Sequence, residues 1–197
     1  MTAQTLDDDR LLKTLRPIAW ALVAFLVALP AIATALGAEG VDWGSEDYIA
    51  AAILLGGAGL VVELLVRVSR DWNYRIAALL VTSGALFTLW SNLAVGIVGN
   101  EDNPINIGYF LIVPLLALGA TVVKLKAAGM AAVARVAATF YIGMGIAAFA
   151  SGQGNPAPFI IGIHAVFVTI FAGAGLLFQR AANTGAKATN REKMVEM

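Results

Sequence analysis

The chain has 197 residues, of which 59% are hydrophobic and only 13% charged, and its formal net charge at pH 7 is zero. A soluble domain is about half apolar and a quarter charged, so this composition excludes an ordinary water-exposed surface. The balanced charge gives no reason to expect a nucleic-acid partner, and the absence of cysteine excludes disulfides and thiolate chemistry.

The sequence of the first 16 residues predicts a short leader that precedes the first membrane span. Thr5 and the three aspartates that follow Leu6 are typical of a helix start. Leu11, Leu12 and Leu15 then share one face, which favours an interfacial helix, although a solvated leader fits as well. A cleaved signal peptide is rejected because the next apolar run is too long and follows an acidic leader.

Six apolar runs between residues 17 and 180 predict an all-α integral membrane bundle of six transmembrane helices, since a spanning helix needs roughly 20 apolar residues. The predicted spans are 18–38, 47–68, 74–98, 106–125, 129–150 and 158–179. Residues 181–197 are polar and lack periodicity, so they predict a mobile tail.

The basic residues fall on one side of these spans, and the intervening loops on the other side are acidic. The segregated lysines and arginines are Arg10, Lys13, Arg16, Arg67, Arg70, Arg75, Lys124, Lys126, Arg135, Arg180, Lys187, Arg191 and Lys193. By the positive-inside rule, both termini are predicted to be cytoplasmic. The predicted location is the inner (plasma) membrane of a bacterium.

The acidic loops also resemble one another. Gly44-Ser45-Glu46-Asp47 has a counterpart in Gly99-Asn100-Glu101-Asp102, and Asn103-Pro104 has one in Asn155-Pro156. This recurrence is compatible with three helical hairpins of similar plan. Asn-Pro is, however, a common turn pair, so chance similarity stays open.

The junction between the third and fourth predicted spans reads LWSNLAVGIVGNEDNPIN, from Leu89 to Asn106. It resembles the helix-loop-helix junction of a family of bacterial multi-pass membrane proteins with the pattern W-x-N-x-A-V-G-I-[IV]-G-x-E-D-N-P-x-N. The resemblance covers less than a tenth of the chain. The family carries no assigned activity, so the resemblance implies a multi-pass membrane protein and no particular chemistry.

A candidate polar site lies on the outer side of the predicted bundle. Its residues are Asn92, Glu101, Asp102, Asn103, Tyr109 and His164. If the helices that carry them are neighbours, His164 could exchange a proton with the acidic loop. Glu101 and Asp102 could instead bind a hard cation. The structural alternative is that His164 and Asn92 bond between helices while Asp102 or Asn103 caps the fourth span.

A second group of ionisable residues lies near the inner side. Glu63 and Arg67 are spaced as an i,i+4 ion pair, which is a structural or a transport feature. Arg135 lies one to two turns into the fifth span, where its long side chain can reach the interface. An anionic lipid headgroup or Glu63 is its expected partner.

No catalytic or cofactor motif is present. One histidine and no cysteine cannot form the usual zinc motifs, and neither a nucleophile elbow nor a phosphate loop occurs. We therefore predict a protein without a cofactor that is not an enzyme. Three functions remain open: a proton or cation transporter or channel, an accessory or scaffold subunit of a membrane complex, and a lipid-binding protein. Expected partners are the lipid bilayer and a second copy or another membrane protein.

Overall fold

A computed structural model of the chain describes residues 3–41, 43–100, 102–152 and 156–195, and every regular element in these ranges is a helix. The helices are α1 (Ala3–Ala35), α2 (Ser45–Val68), α3 (Trp72–Ala94), α4 (Asn106–Tyr109), α5 (Ile112–Val122), α6 (Ala127–Ala150) and α7 (Ala157–Val195). The all-α prediction is confirmed.

Five of the helices, α1, α2, α3, α6 and α7, are long and apolar enough to cross a membrane. Many of their large apolar side chains are exposed, as a bilayer requires and water would not permit. The chain therefore has the helices of a multi-pass membrane protein that contacts lipid. The count of six spans, the three-hairpin plan and the orientation of the termini stay predictions.

Of the six predicted spans, the fourth differs most from the structure. The structure has a shorter apolar segment, Asn106–Val122, interrupted between α4 and α5. Pro114 has no amide hydrogen and so cannot bond to the carbonyl of Phe110. Between α4 and α5 the backbone instead forms hydrogen bonds between residues three apart. Phe110 N donates to Ile107 O at 3.2 Å, and Leu111 N donates to Gly108 O at 3.1 Å.

The helix bounds at the two ends of the chain also differ from the prediction, while the interfacial leader and the mobility of the tail stay predictions. The leader continues into the first span without a break, and Pro17 lies inside α1 rather than at its start. At the other end, α7 continues through the predicted mobile tail to Val195. The tail contains no proline and several good helix formers, among them Ala181, Ala182, Ala186 and Ala188, so the helix has no reason to stop at residue 180.

The chain divides into two compact units, Met1–Val61 and Val62–Met197. In the first unit, Gly59 of α2 lies against α1, because a Cβ built on it would be 3.5 Å from the Trp20 ring. Such close approach at a small residue is the usual contact between membrane helices.

The second unit has a core of α3, α6 and α7. Phe167, Phe171 and Phe178 of α7 are fully buried, and they pack against small residues of the other two helices. A Cβ added to Gly84 of α3 would come within 3.1 Å of the Phe171 ring. Large side chains on one helix thus occupy the space left by small ones on its neighbours, and dispersion stabilises the contact.

The turn between α5 and α6 is held by a residue of α3. Lys124 and Leu125 both adopt left-handed backbone conformations, with φ of 52° and 57°. Non-glycine residues adopt this conformation at a cost of about 1 kcal/mol or more each, so other contacts must maintain it. The Tyr74 hydroxyl supplies one by donating to Leu125 O at 2.9 Å.

Candidate functional site: a buried polar network

Asn106 organises the loop between α3 and α4. Its side-chain oxygen accepts hydrogen bonds from the amides of Ile97 (3.2 Å) and Val98 (3.0 Å). Its side-chain nitrogen donates to the carbonyl oxygens of Val98 (3.1 Å) and Asn100 (2.6 Å). The side chain is 3% exposed, so one buried carboxamide satisfies four backbone groups, of which those of Ile97 and Val98 are buried.

The glycines of the motif give the loop its shape. Gly96 and Gly99 both have φ of +71°, a conformation that other residues rarely adopt. A Cβ on Gly96 would also lie 2.6 Å from Asn106 Nδ2 and would collide with Asn100 O. The motif thus places glycine where the backbone turns tightly around the Asn106 side chain.

Asn92 joins α3 to this loop. Its side-chain nitrogen donates to the carbonyl oxygen of Asn106 at 2.8 Å, and the residue is 4% exposed. Its side-chain oxygen is buried and has no partner among the residues that the structure describes. That oxygen is the unused acceptor of the predicted outer site.

Tyr109 and His164 are in direct contact between α4 and α7. The Tyr109 hydroxyl lies 2.7 Å from His164 Nε2, and His164 Nδ1 lies 2.7 Å from the carbonyl oxygen of Ile160. A carbonyl can only accept, so Nδ1 carries the hydrogen; in the neutral ring, Nε2 then accepts from the tyrosine. Both ring nitrogens are therefore used.

Gly145 of α6 makes room for the imidazole. A Cβ on this glycine would be 3.0 Å from His164 Cγ, closer than most real contacts of that kind. The His164 ring is thus held by packing against Gly145 and by hydrogen bonds to Tyr109 and Ile160.

A third interhelical bond, between Tyr141 and Thr88, was not predicted from the sequence. The Thr88 hydroxyl donates to Gly84 O at 2.8 Å, so the Tyr141 hydroxyl donates to Thr88 Oγ1. The Tyr141 ring stacks on Phe167, with centroids 4.6 Å apart and planes 17° apart. A tyrosine and a threonine within apolar runs are the only sequence signal for this bond.

The acidic part of the predicted site is only partly described. Glu101 lies outside the described residues, Asp102 is exposed, and Asn103 is half-buried. Asn103 Oδ1 accepts from the amide of Ile105 at 3.1 Å, a turn-forming bond at the start of the fourth segment. No three described His, Cys, Asp or Glu residues are grouped to hold a metal ion, and a cation bound by Glu101 and Asp102 stays a prediction.

The inner residues form two separate pairs. Arg67 donates to Glu63 as the i,i+4 spacing predicted, and the Arg67 side chain is 58% exposed. Arg135 donates through Nη2 to Gln179 Oε1 of α7 at 3.0 Å, rather than to Glu63. Helices α6 and α7 are packed together, so Gln179 is the partner within reach; Gln179 in turn donates to Asn183.

Tyr109→Phe tests the Tyr109–His164 contact. Removing the hydroxyl leaves His164 Nε2 buried without a donor, so we expect the free energy of unfolding to fall by about 2 kcal/mol. Reversible denaturation in mixed detergent micelles measures it. Tyr48→Phe is the matched control, because the Tyr48 hydroxyl has no described hydrogen bond. Equal stability of the two variants would contradict the assignment.

Comparison with protein-family models, curated proteins and solved structures finds no match to this chain.

Proposed function

We propose that the chain is a non-catalytic accessory or scaffold subunit of a larger assembly in the membrane. The observation that carries the proposal is the connectivity of the buried polar groups. Asn92 and Asn106 join α3 to α4, Tyr109 and His164 join α4 to α7, and Thr88 and Tyr141 join α3 to α6. Three hydrogen bonds thus connect four helices. Buried polar groups that are paired in this way fix the packing of the helices against one another, as a structural role requires.

The remainder of the α3 inner face supports a structural role. Between Thr88 and Arg75 its buried apolar residues are Val81, Ala78 and Ala77, and Gly84 lies against Phe171. Thr82 is the one buried polar side chain that the structure describes in this stretch, and its hydroxyl has no described partner. This stretch spans about 20 Å along the helix. A proton or ion that crosses a membrane needs a continuous series of polar groups or water along its path, and a single hydroxyl does not form one.

An exposed face of α2 supports the presence of a partner. Ile49, Ile53 and Leu60 are 60%, 67% and 52% exposed, and Gly57 lies between them on the same face with open space above its Cα. A glycine flanked by large apolar residues lets another helix approach closely.

The test is purification of the full-length chain from its native membranes in mild detergent. We expect a discrete complex larger than the monomer, and we expect Gly57→Leu to reduce the partner recovered by about tenfold, a loss of about 1.4 kcal/mol in binding. Gly162→Leu is the control, since Gly162 is also exposed on a long helix with open space around it. Recovery of the wild-type chain as a monomer alone would overturn the proposal.

The second candidate function is a proton or cation transporter or channel. The free side-chain oxygen of Asn92 favours it, because a buried acceptor next to the Tyr109 and His164 helices is a place for a water molecule or a cation. Flux into liposomes distinguishes the candidates. A transporter would lose flux on His164→Ala, whereas an accessory subunit shows no flux with or without the substitution.

A further inference from the structure

Arg75 is a buried cation at the turn between α2 and α3. It is 6% exposed, and its Nε donates to the carbonyl oxygens of Ser69 (3.0 Å) and Val66 (3.3 Å). Val66 belongs to the last turn of α2, whose carbonyls have no partner within the helix. The Nε hydrogen of Arg75 therefore caps the C-terminal end of α2 by donating to the Val66 carbonyl.

The two terminal nitrogens of the guanidinium have no hydrogen-bond partner among the described residues. Nη1 is buried without a hydrogen bond, and neither terminal nitrogen donates to a described residue. An arginine side chain offers five hydrogen-bond donors, of which only the Nε hydrogen is used here. The geometry leaves the paired terminal nitrogens for an acceptor that the described chain does not supply.

The acidic groups near the turn are already engaged. Glu63 pairs with Arg67, and Asp71 Oδ1 accepts from the amides of Asn73 (2.7 Å) and Tyr74 (3.3 Å) at the start of α3. Arg70 is exposed and adds a second positive charge. The turn therefore carries an excess of positive charge around a guanidinium that has no described carboxylate beside it.

The position of the turn indicates the kind of acceptor. It joins two helices that are each long enough to cross a membrane, so it lies at a membrane surface, where lipid phosphates are concentrated. The Trp72 ring lies over the guanidinium, 5.1 Å from Cζ to the centroid, and its partly exposed indole suits the headgroup region. A phosphate has the oxygen spacing that pairs with the two terminal nitrogens of an arginine.

We propose that Arg75 is the centre of a phosphate-binding site at the α2–α3 turn, with an anionic phospholipid headgroup as its ligand. Arg70 adds long-range attraction, and Trp72 shields the bound phosphate from water. This site is separate from the outer polar network and does not depend on the accessory role proposed above.

Native mass spectrometry of the full-length chain, titrated with phosphatidylglycerol in a neutral detergent, tests the site. We expect Arg75→Gln to weaken binding of one lipid by about tenfold, since it removes the charge and the paired donors. Arg75→Lys keeps the charge but loses the paired geometry, so we expect a loss of about threefold. Arg70→Gln is the matched control in the same turn and should change binding by less than either.

Two further arms identify the ligand. Diacylglycerol lacks the phosphate and should not be retained, while inorganic phosphate should compete only if the free anion is the ligand. Retention of diacylglycerol as strong as that of phosphatidylglycerol would overturn the proposal. Wild-type affinity in Arg75→Lys would also overturn it. This variant keeps a cation beside the Val66 and Ser69 carbonyls, so it tests the site by itself if Arg75→Gln does not fold.

Discussion

Asn106→Ala is expected to lower the free energy of unfolding by about 4 kcal/mol, because it removes a hydrogen-bond acceptor from the buried amides of Ile97 and Val98 and a donor from two carbonyls. No other single polar side chain that the structure describes satisfies so many backbone groups. Denaturation in mixed micelles measures the loss, and hydrogen exchange at Ile97 and Val98 localises it.

Asn103→Ala is the control for this variant, since it removes one bond at a half-buried position of the same loop. We expect it to cost about 1 kcal/mol or less. If the two asparagine variants lost equal stability, or if exchange at Ile97 and Val98 stayed slow in Asn106→Ala, the central role of Asn106 would be wrong.

Gly96→Ala is expected to destabilise the chain by about 3 kcal/mol or more. The new Cβ would meet Asn100 O and Asn106 Nδ2, and alanine is strained at φ of +71°. Because the collision displaces the Asn106 carboxamide, Gly96→Ala and Asn106→Ala should be strongly non-additive in the double variant.

Gly143→Ala provides the opposite case, since Gly143 lies within α6 with open space around it. Alanine there should stabilise the chain by up to about 1 kcal/mol through helix propensity alone. The measurement is again unfolding in mixed micelles.

The same measurement tests Gly96→Ala. If this variant were as stable as the wild-type chain, the loop would be able to rearrange around Asn106 and the prediction for Gly96 would be wrong.

The long helices were predictable because their signal is local. The predicted spans 47–68 and 129–150 differ from α2 and α6 by two residues at the start and by none at the end. The span 74–98 was predicted to end too late, because Gly96 turns the chain out of the helix within an apolar run. Hydropathy alone does not distinguish a helix from an apolar loop whose backbone amides and carbonyls are hydrogen-bonded to the side chain of a later asparagine.

The candidate site depended on information that a sequence pattern does not contain. Asn92, Tyr109 and His164 were selected as polar residues at similar depth, and the structure places Tyr109 and His164 in contact. Asn106 belonged to the motif, but its role requires the left-handed turn at Gly96 that wraps the loop around it. Thr88 and Tyr141 gave no separate signal, because their bond depends on which faces of α3 and α6 meet.

The length of α7 has a consequence for anything attached to the end of the chain. A helix of 39 residues is about 58 Å long, nearly twice the roughly 30 Å hydrocarbon thickness of a bilayer. The fifteen residues after Arg180, counted as 195 minus 180, extend the helix by about 22 Å. With the predicted span ending at residue 179, we expect a fluorophore fixed at Val195 to lie outside the hydrocarbon core, at a nearly constant distance from the lipid surface.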